Sequence, residues 1–100
     1  MKMDTTGDTL RISSVPQLGA ANANAFRDWV RGAFGNGHRN IEVDLSQTTF
    51  VDSCGLGALI GLHKSALTRQ GKLMLINPSA TIQQILELTR LDGVFEIIRR

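Results

Sequence analysis

The apolar positions of the chain change their period along its length, and each change marks an element. Residues 8–15, DTLRISSV, alternate loosely and predict a first strand, which Pro16 ends. In AANANAFRDWVRGAF, Ala25, Phe26, Trp29, Val30 and Ala33 recur at helical spacing, so residues 20–34 predict an amphipathic helix. GNGHRN breaks the chain there, with Gly35 and Gly37 free to take positive φ. NIEVDL at 40–45 puts Ile41, Val43 and Leu45 on one face of a second strand. A polar link, SQTT, leads to Phe50 and Val51. From Ser53 to Gln70, Leu56, Leu59, Ile60, His63 and Leu67 fall on one helical stripe, and Gly71 ends it as a C-cap would. KLMLI is an almost continuous apolar run that suits a strand buried on both faces. NPSATIQQILELTR offers Ser79 as an N-cap, with Ile82, Ile85 and Leu86 pointing inward. Asp92-Gly93 is a turn, and VFEII is the last strand.

The resulting order, β-α-β-α-β-α-β with short connections, requires crossovers between strands. It predicts one α/β domain over residues 1–100, built on a small mixed, partly parallel sheet of four to five strands. So short a chain does not cover both sheet faces evenly, and the helices are expected mainly on one face.

Composition narrows this picture. With four Phe, one Trp and no Tyr, the core must be aliphatic and alanine-rich. Eleven Lys/Arg against nine Asp/Glu leave a formal charge of +2. The positive charges are scattered, apart from short clusters at His63-Lys64, Arg69 to Lys72 and Arg99-Arg100, so nucleic acid is not an expected partner. Cys54 is the only cysteine, which removes any internal disulfide and any zinc site with several cysteines, and favours a reducing compartment. MKMDTTGDTL has no apolar signal core, and no window holds the roughly 18 apolar residues of a membrane span. A cytoplasmic protein without membrane insertion is expected.

The candidate chemistry sits in FVDSCGLGALIGL, residues 50–62, where Asp52, Ser53 and Cys54 stand together. A hydrolase using Ser53 or Cys54 is one reading. The nucleophile elbow needs Gly-x-Ser-x-Gly, but Val51-Asp52 precedes Ser53. His63 lies ten residues on in the same helix, about 15 Å away at about 1.5 Å per residue, and His38 sits in a separate glycine-rich loop. A phosphate cradle is a second reading, but the glycine after Gly55 and Gly57 comes at Gly61 and no Walker lysine follows. Asp52 with Asp44 or Glu42 is a third, as a metal or acid/base pair. The structural alternative needs no catalysis: Ser53 caps the helix, Asp52 favours its positive end, and Gly55, Gly57 and Gly61 allow close packing. A hydroxyl at that helix start also accepts a phosphate that switches the surface without altering the fold.

The stretch from Ile41 to Ile97 resembles the STAS domain of bacterial anti-sigma-factor antagonists. The matching residues are Asp44-Leu45, then Phe50-Val51-Asp52-Ser53-Cys54-Gly55-Leu56, with KLMLINPSATIQQILELTRLDGVFEI following. The resemblance implies a STAS-like fold, no catalysis and no cofactor. It implies partner switching, in which a serine kinase that is also the anti-sigma factor binds the protein and phosphorylates Ser53. A serine phosphatase resets it. Asp52, Ser53, Cys54, Gly55, Leu56 and Gly57 are then the expected partner-binding residues, with no metal site. Oligomeric state stays open between monomer and weak dimer. One departure stands out: family members usually carry Gly-x-Leu-Asp after the first strand, whereas Pro16 and Gly19 occupy its ends here. An accessory subunit of a transporter or larger signalling complex, binding without being phosphorylated, is the alternative within the family.

Overall fold

The computed structural model describes residues 1–100. In chain order the elements are β1 (Lys2–Thr6), β2 (Thr9–Ser13), β3 (Gln17–Leu18), α1 (Ala23–Ala33), β4 (Asn40–Asp44), β5 (Phe50–Val51), α2 (Ser53–Leu67), β6 (Leu73–Ile76), α3 (Ala80–Leu88), a 3₁₀ turn (Leu91–Gly93) and β7 (Glu96–Ile98). The main sheet runs β1-β2-β4-β6-β7; β1 is antiparallel to β2, and the other neighbours are parallel. The strands β3 and β5 form a separate parallel pair.

Period-two alternation assigns the two faces of the sheet. Leu10, Ile41 and Leu73 align across three strands, as do Ile12, Val43 and Leu75, and all six are buried. They form one core with Phe26 and Val30 of α1, Leu59 and Leu62 of α2, and Ile82 and Leu86 of α3. The opposite face carries Arg11, Glu42, Met74 and Glu96 in one row. Glu42 is buried there, its carboxylate accepting from Arg11 Nε at 2.9 Å and Arg100 Nη2 at 2.7 Å. The one-sided helical layer is therefore as expected, but β6 is not sealed on both sides: Met74 on the other face is half-buried.

Several local expectations shift. β1 lacks the alternation that marks a strand, because every residue but the half-buried Met3 is exposed. Gly7, at φ +61°, turns the chain into β2. α1 begins at Ala23 rather than residue 20, since Asn22 turns its side chain backward: its Oδ1 accepts from Gly19 N–H and its amide donates to the Gln17 carbonyl. On α2 the buried arc is Gly55, Leu56, Ala58, Leu59, Leu62 and Ala66, while Leu67 is exposed; the stripe drawn through the large residues missed the alanines. Gly71 is not a left-handed cap. Gln70 takes that conformation at φ +60°, and Gly71 is required because a Cβ there would strike the Arg39 carbonyl. Ser79 caps α3 as expected, accepting from Ile82 N–H at 3.3 Å. No helix is long and apolar enough to cross a membrane.

Candidate functional site

The small β3–β5 pair positions the site. Its register sets Gln17 beside Phe50 and Leu18 beside Val51. Thr49 N–H donates to the Pro16 carbonyl at 3.0 Å, and the buried Thr48 hydroxyl donates to the Val15 carbonyl at 2.5 Å. These bonds hold the Gly19–Asn22 loop against the start of α2.

Asp52 joins the two segments. It is extended at φ −115°, ψ −171°, and is the N-cap of α2. One carboxylate oxygen accepts from Cys54 N–H at 2.8 Å and Gly55 N–H at 3.0 Å, and the other accepts from Ala20 N–H at 3.0 Å. The Gly55 N–H, then that of Ala20, hold the carboxyl below its ordinary pKa, against a smaller opposing effect of desolvation. The cap is thus Asp52 and not Ser53. A carboxylate fills the cap position as well as a hydroxyl does and here satisfies two helix donors at once. Ser53 becomes the first helical residue, exposed, with its hydroxyl in no hydrogen bond within the chain.

The three glycines of α2 have different roles. A Cβ on Gly55 would strike the Leu18 carbonyl, so glycine lets the helix start abut β3. On Gly61 it would press Arg31 Nη2 at 3.3 Å and Arg27 Cδ at 3.4 Å of α1. Gly57 is exposed and a Cβ there would meet nothing, so packing within this chain does not explain it. At Gly19 a Cβ would lie 2.7 Å from Phe50 Cε2 and 2.9 Å from an Asp52 carboxylate oxygen.

Of the six expected partner-binding residues, Ser53, Cys54 and Gly57 are exposed and Asp52 is half-buried. Gly55 and Leu56 are buried, Leu56 in the core and Gly55 against β3. The sequence reading missed Ala20, whose N–H completes the Asp52 acceptor set, and Phe50, which is 51% exposed beside Gly19. An aromatic directly after the polar link SQTT was the available signal for Phe50.

The other titratable candidates are engaged elsewhere. His38 Nδ1 accepts from Gly35 N–H at 2.9 Å, Nε2 lies 3.0 Å from the Thr5 hydroxyl, and the ring stacks on Phe34. His63 sets its ring edge-on to Phe95, and its buried Nδ1 has no partner. Asp44 accepts from Ser46 N–H at 2.9 Å, while Glu42 holds its two arginines. None of these groups hydrogen-bonds to Ser53.

The chain matches the STAS domain family over residues 1–100. It is 33% identical over 91 residues to a Thermotoga maritima protein named as an anti-sigma factor antagonist, covering 90% of this chain and 80% of that protein. A crystal structure from Thermotoga maritima under the same name superposes with a TM-score of 0.89 at 27% identity, covering 99% of this chain and 85% of that one. The anti-sigma factor antagonist SpoIIAA in its unphosphorylated form gives 0.86 at 21% identity, covering 99% and 86%, and shares the fold. With a family match along its whole length and a close relative at this identity, the chain belongs to the STAS domain family.

Proposed function

We propose that this protein is an anti-sigma factor antagonist that works by partner switching. It binds an anti-sigma factor that is also a serine kinase, phosphorylation of Ser53 dissolves that complex, and a serine phosphatase restores it. Its role is binding rather than catalysis. The observation that carries this reading is the exposed, unbonded hydroxyl of Ser53 at the first position of α2, directly beside the Asp52 carboxylate. The naming of its relative as an anti-sigma factor antagonist supports the partner class, and SpoIIAA, which shares the fold, has been solved in a phosphorylated form.

The physics of the switch follows from what Asp52 already occupies. The N–H groups of Cys54 and Gly55 are bound to its carboxylate, so they cannot fold a phosphate into the helix end. A phosphoryl group of about −2 charge on Ser53 stays on the surface next to a carboxylate. There it repels acidic groups and displaces a close-fitting partner. Because Ser53 contributes no bond to the fold, the change leaves the domain intact. The docking surface is Ser53, Cys54 and Gly57, edged by Asp52 and by Phe50 with the Gly19–Asn22 loop.

The test is to capture the partner with tagged protein, incubate the pair with ATP, and map the phosphate by mass spectrometry. One phosphate on Ser53, lost in Ser53→Ala, is the expected result. Tight binding with no phosphate contradicts the switch and favours an accessory STAS subunit.

A further inference from the structure

The edge strand β1 carries a charge pattern that is complementary to itself in one register only, and we propose that it pairs with β1 of a second copy to form a symmetric dimer. The open backbone groups of β1 are fixed by its neighbour. Asn40 N–H donates to the Asp8 carbonyl, so the even positions of β2 bond to β4 and its odd positions bond to β1. Thr9, Arg11 and Ser13 are aligned with Thr6, Asp4 and Lys2. Those three residues of β1 therefore bond inward, and Met3 and Thr5 turn their N–H and C=O groups outward.

A two-fold antiparallel pair must bring outward residues opposite outward residues. Centred on Met3, it sets Met3 against Met3 of the second copy as the hydrogen-bonded pair. Lys2 then faces Asp4 of the second copy, twice by symmetry, at the closer non-hydrogen-bonded positions. The neighbouring symmetric registers fail on charge: centring on Asp4 opposes two carboxylates, and centring on Lys2 opposes two ammonium groups. Lys2 makes no ion pair within the chain and is exposed. Asp4 has only a loose contact to Arg11, at 3.8 Å.

A second observation falls at the same edge. The half-buried Met3 packs on the core, on the helix side of the sheet. On that side Met1, Asn22, Ala25, Phe26 and Trp29 line a mostly apolar hollow of about 370 Å³, with Met1 53% and Trp29 39% exposed. The two-fold axis lies perpendicular to the sheet, so both copies present this side together, and the register places Thr5 of the second copy opposite Met1. The dimer extends the sheet to ten strands and removes an edge that would otherwise template indiscriminate pairing.

Charge-swap variants test the register. Sedimentation equilibrium across a concentration series should show a monomer–dimer equilibrium for the wild-type chain. Asp4→Lys and Lys2→Asp alone should each raise the dissociation constant at least about tenfold, which is about 1.4 kcal/mol. An equimolar mixture of the two variants should dimerise again, because every facing pair is then Lys against Asp. Recovery in the mixture also shows that neither variant has simply lost its fold. Fluorescence of the single tryptophan should shift to the blue on dimerisation. A wild-type chain that stays monomeric at millimolar concentration overturns the proposal. So does a dimer that both single variants leave unchanged, or a mixture that stays monomeric.

Discussion

Asp52 uses both carboxylate oxygens on backbone N–H groups from two segments, so one side chain caps α2 and fastens the Gly19–Asn22 loop to it. Its pKa is depressed in the folded state, principally by the Gly55 and Ala20 N–H groups. The stability it contributes is therefore fully present above the ordinary carboxylate pKa and is lost as pH falls through the depressed folded value. Asp52→Ala should lower the thermal midpoint at neutral pH, with the gap to wild type closing in acid as the wild-type carboxylate takes a proton. Thermal melts of both proteins across that range check this; a gap independent of pH would contradict it. Ser53→Ala should behave differently at the adjacent position. The hydroxyl is exposed and unbonded, so urea unfolding should place the variant within about 0.5 kcal/mol of wild type. The site thus separates the residue that holds the structure from the one available for chemistry.

Helix α2 shows where sequence patterns suffice and where they do not. Its existence and the adjoining strands β4 and β6 follow from apolar period alone. The role of each glycine does not, because it depends on what a Cβ would meet in another segment. Gly55→Ala sets a methyl against the Leu18 carbonyl and should cost about 3 kcal/mol or more, since backbone gives way less readily than a side chain. Gly57→Ala meets open space and should stabilise the helix by up to about 1 kcal/mol. If the Gly57 position serves close approach by a partner, the same variant binds that partner more weakly; calorimetry beside urea unfolding separates the two effects. The capping assignment was also illegible in sequence, because Asp52 and Ser53 are both good N-caps and only the bonds from Cys54 and Gly55 N–H to the Asp52 carboxylate decide between them. β1 left no alternation to read, as an edge strand with almost no buried residue. Leu56 reads as apolar at a functional motif, and only the packing of α2 on the sheet shows it belongs to the core.

At the scale of the whole molecule the sheet is asymmetric: one face is covered by helices, and the other centres on a buried carboxylate between Arg11 and Arg100. The arginines remain partly exposed, with side-chain accessibilities of 43% and 53% against 8% for Glu42. Removing the acid leaves cations that water can solvate, whereas removing both cations leaves an unpaired buried anion. Thermal unfolding should accordingly show a larger loss for Arg11→Met with Arg100→Met than for Glu42→Met; the reverse order would contradict this reading of the face. At the start of α2 Ser53 is exposed and its hydroxyl makes no bond within the chain, so a change there removes no contact of the core. That independence is the basis of the proposed switch. The most direct test is the affinity of the captured anti-sigma factor, measured by calorimetry, for wild-type protein and for the form phosphorylated at Ser53, with circular dichroism of each. The account predicts a loss of at least about a hundredfold in affinity, about 2.8 kcal/mol, with unchanged circular dichroism. Equal affinities for the two forms, both folded, would contradict it.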